Sequence, residues 1–205
     1  RLLRLGGVML VISLVAAPAW GKIIGIAGYA GAPPTRANCA DCHFGGSFSG
    51  ELFVSVPEDI VANDPEVSIE VYYEGTAPEL WGFNLIAIDV ATDEPVGELV
   101  AGSGSKILTS GGSEYLTHTA SGTTERTGLD LDPGWSVGWV PPAEPVTSVR
   151  FYATFNAGNG NFTAGGDTVF ESSDTVVSVP EPGSLGAAAV SLLVLLALRR
   201  REIPS

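Results

Sequence analysis

The chain is poor in the residues that most chemistry needs. Its 205 residues include two cysteines, two histidines and one methionine. Two cysteines cannot make a disulfide framework. Ten basic residues face 23 acidic ones. That balance argues against a nucleic-acid partner and against docking on anionic lipid, both of which need basic surfaces. No Ser/His/Asp set, phosphate-binding glycine loop or helical H-E-x-x-H is present, so an enzyme is not expected. The twelve-residue EF-hand pattern is also absent, although Asp130 and Asp132 in "LDLDPG" form an acidic pair that suits calcium. No helical periodicity appears between the two ends of the chain, and no internal repeat is evident.

The long apolar runs sit at the ends. Arg1 and Arg4 precede the run Val8 to Ala17, and small residues follow in "APAWGK". Basic, apolar and small-residue regions in that order read as a secretory signal peptide, residues 1–21, cut after Ala19 or Gly21. The other end, 179–205, reads "VPEPGSLGAAAVSLLVLLALRRREIPS". A Pro-rich break leads to an apolar run from Leu185 to Leu198. Arg199, Arg200 and Arg201 follow and should stay cytoplasmic. Val179, Pro180, Glu181, Pro182 and Gly183, the apolar helix and the arginine triplet together resemble the PEP-CTERM sorting signal of Gram-negative bacteria that make exopolysaccharide. The resemblance implies an exosortase and the secretion machinery as partners. It also implies a transmembrane helix before processing, and delivery to the cell surface or extracellular matrix.

These ends hold five of the ten basic residues but only two acids, Glu181 and Glu202. The middle of the chain keeps 5 basic and 21 acidic side chains, a net charge of −16. Such a charge suits solubility outside the cell.

Between the ends, apolar residues alternate with period two. Leu52, Val54 and Val56 share one face, as do Val67, Ile69, Val71 and Tyr73. "GFNLIAIDV" is apolar on both faces, as a central strand would be. Trp135, Val137 and Trp139 form one inward row; Val149, Phe151, Ala153 and Phe155 form another. About eight or nine short strands with turn residues between them predict an all-β antiparallel sandwich over residues 51–178. The Gly/Pro-rich segment 22–50 cannot fill a core and reads as a loop.

That loop carries Cys39-Ala40-Asp41-Cys42-His43. C-x-x-C-H is the spacing of c-type haem attachment. Two thiols three residues apart reach the two vinyl groups, and the next residue sits beneath the iron as proximal ligand. His118 in "YLTHTA" is the other histidine and the candidate second axial ligand. Met9 falls in the signal peptide, so His/Met ligation is not expected. The expected site is therefore haem c on Cys39 and Cys42, with His43 and His118 on the iron. Two alternatives stand beside it: a Cys39–Cys42 disulfide, and a zinc site from Cys39, Cys42, His43 and His118.

The order "GYAGAPPTRANCADCHFGG", "WGFNLIAID", "YLTHTA", "GWSVGWVPP", "VRFYATFNAGNGNFTAGGDTVF" resembles the choice-of-anchor V bacterial surface proteins. The resemblance implies an Ig-like sandwich akin to the Reeler domain. Two functions follow as expectations. One is a surface redox protein that transfers electrons through a single haem to a redox partner. The other is a structural or adhesive protein of the exopolysaccharide matrix whose cysteines form a disulfide.

Overall fold

The computed structural model describes residues 23–127, 132–173 and 175–181. The expected signal peptide, the C-terminal apolar helix and Asp130 lie outside them. Among the described residues no helix is long and apolar enough to cross a membrane.

Among the described residues twelve strands form two facing sheets. The larger runs in the order β1 (Phe44–Gly45), β11 (Gly165–Ser172), β10 (Val146–Gly158), β4 (Leu80–Asp89), β7 (Ser113–His118), β6 (Ser105–Ser110). β12 (Val176–Val179) also pairs with β10. The smaller sheet runs β2 (Gly50–Ser55), β3 (Val67–Gly75), β9 (Asp132–Val140), β5 (Glu98–Val100), with β8 (Arg126–Thr127) on β9. All pairs are antiparallel except the two-residue pair β1–β11. The all-β sandwich expected from the alternation is the fold. The strands that the alternation missed are β1, β5, β6 and β8. Three of them are only two or three residues long. β6, Ser-Lys-Ile-Leu-Thr-Ser, lies at a sheet edge with no side chain fully buried, so it shows no inward row. The hairpin from β6 to β7 turns on Gly111 and Gly112, at φ 60° and 87°. Two successive positive φ values are what a tight two-residue hairpin needs.

The core is made by the rows that alternation placed inward. Ile69, Val71, Tyr73, Trp135, Trp139, Val149, Phe151, Ala153 and Phe155 are all essentially fully buried. Phe83 stacks on Trp135 at 4.1 Å and Tyr73 on Phe155 at 4.8 Å between ring centroids. Each such side chain contributes about 1.5–3 kcal/mol by leaving water.

The segment before β2 is not the unpacked loop its composition suggested. Ala30 and Ala32 are buried against Ile86, Ile88 and Tyr152, which form the outer face of β4 and β10. The reason is visible in β4. Both its faces are apolar, but the second sheet covers only one, so the other needs a lid. Small side chains lie flat enough to supply it. Asn84, 1% exposed, anchors this lid. Its amide donates to Ile26 O and accepts from Tyr29 N–H at 3.4 Å.

Candidate functional site

The C-x-x-C-H motif forms one tight turn. Asn38 starts it: its side chain accepts from Ala40 N–H at 2.8 Å, and the Asp41 carboxylate accepts from Asn38 N–H at 3.3 Å. Cys42 N–H and His43 N–H both donate to Cys39 O, at 3.2 and 2.9 Å. Cys39, Cys42 and His43 all border one cleft. Phe44 N–H then donates to Ala164 O at 3.0 Å, where β1 joins β11.

Both cysteines are free thiols. Cys42 is exposed. Cys39 Sγ lies 3.1 Å from Thr154 Oγ1. Thr154 already donates its hydroxyl proton to Tyr29 O at 2.6 Å. The hydroxyl has one proton, so Cys39 must donate its own to Thr154. Burial pushes the Cys39 thiol up to about 11. A thiol so raised is not a nucleophile at neutral pH, which disfavours redox-relay chemistry of the C-x-x-C kind.

His43 is fixed from the far side of the molecule in sequence. Its Nδ1 is 2.6 Å from Asp167 Oδ2. Asp167, on β11, is 4% exposed. Its carboxylate also accepts from Asn159 N–H at 3.2 Å and from the Asn156 amide at 3.4 Å. An ionised carboxylate only accepts, so His43 Nδ1 carries the proton. In the neutral ring Nε2 then keeps its lone pair, directed away from Asp167. A histidine held through one nitrogen by a carboxylate is the arrangement that orients metal-binding imidazoles.

His118 ends β7, where β7 stops pairing with β4. Phe83 N–H finds no backbone partner there and donates instead to His118 Nδ1 at 3.1 Å. The ring lies across Gly82. A Cβ at Gly82 would come within 2.4 Å of the ring's Cε1, so only glycine fits beneath it. Because Nδ1 accepts, the neutral ring bears its proton on Nε2. His118 thus has the opposite tautomer from His43.

The four residues meet in one cleft. Cys39, Cys42, His43 and His118 line it together with Trp81 and Phe162, and its empty space is ≈ 930 Å³ including the open mouth. Phe162, 64% exposed, stands at the rim. Among the described residues no three His, Cys, Asp or Glu side chains converge as a metal ion would need. The zinc alternative therefore lacks its ligand set.

Reading the sequence did not single out Asp167, Thr154, Asn156 or Asn84. A signal existed for two of them. Thr154 and Asn156 alternate with Phe155 on a strand otherwise rich in apolar residues, so they had to lie on a covered face or a site.

The C-terminal segment decides what kind of protein carries this cleft. Residues 178–201 match the PEP-CTERM protein-sorting motif. The chain is an exported, surface-sorted protein. The PEP-CTERM motif also implies processing by an exosortase. No curated protein matches the chain. Among solved structures, the human F-spondin reeler domain is similar at 16% identity over 68% of this chain and 86% of that one, with a TM-score of 0.35. The Reelin-N domain of F-spondin is similar at 17% identity over 68% and 83%, also with a TM-score of 0.35. The sandwich assignment rests on the strand pairing itself.

Proposed function

We propose that this PEP-CTERM protein is a non-catalytic electron-transfer protein that holds one haem c in the cleft. Cys39 and Cys42 would bind it covalently and His43 would ligate the iron. The observation that carries the reading is that all four candidate residues line one apolar cleft, with His43 Nδ1 tied to a buried carboxylate. Bound there, a haem supplies one-electron exchange with a redox partner. Asp167 holds the His43 ring and its proton; Trp81 and Phe83 supply apolar wall. Cys39, seated against Thr154, is poorly reactive once folded, so attachment belongs before residues 23–43 dock. His118 is the candidate second ligand, at a cost. To offer Nε2 it must move its proton to Nδ1, which strands the buried Phe83 N–H at a cost of about 1–3 kcal/mol. The resemblance to choice-of-anchor V proteins and a Gram-negative origin belong to the same proposal.

The test is mass and colour. The chain is co-expressed with periplasmic haem-maturation proteins, purified, and measured by intact mass and visible spectrum. One haem increment that disappears in Cys39→Ala/Cys42→Ala supports the proposal. A mass without it overturns the haem and leaves a structural or adhesive matrix protein.

A further inference from the structure

β10 is the longest strand, and it links the two places that matter for surface attachment. At its start, Val146 pairs with Val179 of β12. At its end, Asn156 and Gly158 line the cleft. Twelve residue steps at about 3.3 Å each separate Val146 from Gly158 by roughly 40 Å along the strand. The cleft and the exit of the C-terminal segment therefore lie at opposite poles of the sandwich.

The exit point is firmly held. Val179 is 0% exposed and belongs to the main core. Pro180 O accepts from Ala62 N–H at 2.8 Å. The sorting motif begins at residue 178, inside β12, so the sandwich runs directly into it. Glu181 is exposed, and the apolar run starts at Leu185. Four residues reach at most about 14 Å. The span from the described fold to the apolar run is therefore short in sequence.

The loops at that pole are acidic. The segment that docks on Pro180 carries Glu58, Asp59, Asp64 and Glu66, and Asn63 N–H donates to Pro142 O at 2.9 Å, next to Glu144. Anionic lipid attracts no such surface. The pole would stand on its short stalk and not lie down.

We infer that, while the C-terminal segment is in the membrane, the cleft faces away from the bilayer. Its partners are soluble ones arriving from outside, and carriers dissolved in the lipid cannot reach it. The inference deepens the proposed function and rests on the surface-sorting motif; it does not need the haem.

The experiment uses the chain through Ser205 in phosphatidylethanolamine/phosphatidylglycerol vesicles that contain a nitroxide-headgroup lipid. In a Cys39→Ser/Cys42→Ser background, one fluorophore is placed at Glu144→Cys and, in a separate sample, at Glu79→Cys. Glu79 is exposed, and its N–H donates to Gly158 O at 3.0 Å, so it reports the cleft pole. Several-fold stronger quenching at 144 than at 79 is expected. Equal quenching at the two positions, or stronger quenching at 79, overturns the orientation. Failure of the chain to float with vesicles overturns the anchoring on which it rests. Nitroxide broadening of backbone amides in the unsubstituted chain gives the same comparison should the cysteine substitutions harm folding. The cysteine-free background carries no covalent haem, so the quenching reads the orientation alone, and the colour of the unsubstituted chain reads the haem separately.

Discussion

Replacing Asp167 by asparagine exchanges one oxygen for an amide group and leaves the shape unchanged. The consequences come from hydrogen-bond accounting. The carboxylate receives the His43 Nδ1 proton at 2.6 Å on Oδ2 and the Asn159 N–H at 3.2 Å on Oδ1. Asparagine has one accepting oxygen. Whichever way it is turned, its NH₂ faces a donor. The charge-assisted bond to His43 is lost or weakened, at about 1.5–3 kcal/mol, with the low end apt because His43 is partly exposed. A buried donor left against another donor costs a further ~1–3 kcal/mol. With the first contribution at its low end the sum is about 2.5–4.5 kcal/mol, which lowers Tm by roughly 5–18 °C in a domain of this size. The assay is a thermal melt followed by circular dichroism, paired with ¹⁵N NMR of the His43 ring. The wild type should show the proton on Nδ1, and Asp167→Asn should shift the ring toward the other tautomer. A melt within about 2 °C of wild type together with an unchanged tautomer would refute the accounting.

Four further outcomes are expected. In the haem-free protein, alkylation should label Cys42 well before Cys39 at pH 8. The Cys39 thiol is raised, so folding favours its protonated form, and the associated stability is present below about 9 and fades as pH rises toward 11; Cys39 labelling should accelerate over that window, as peptide mapping would reveal. Gly82→Ala should push the His118 ring aside and strand the Phe83 N–H, at a cost of about 1–3 kcal/mol in urea unfolding. Asn84→Ala should release the lid of residues 23–32 from β4 and expose it to limited proteolysis, while the sandwich beneath stays folded. His118→Ala should keep the covalent haem mass but change the visible spectrum to high-spin if His118 ligates; an unchanged spectrum would make His118 a structural strand end.

Period-two alternation determined the sandwich and its core from sequence alone, because each inward row in β3, β9 and β10 is a local property of consecutive residues. The sorting segment was equally legible, since it is a contiguous string whose parts follow in a fixed order. What the strings left open was decided by residues far apart in the chain. Asp167 meets His43 across 124 positions, and Thr154 meets Cys39 across 115. The tautomer of each histidine depends on such partners, and so does the reactivity of Cys39. The lid formed by Ala30 and Ala32 was hidden for the same reason. Its small residues look like loop until the uncovered outer face of β4 gives them something to bury. The two faces of "GFNLIAIDV" announced that a cover was needed, but only the fold shows that the cysteine segment is that cover. Pairing along β10 then sets the cleft at one pole and the first residues of the sorting motif at the other, a separation no local pattern encodes.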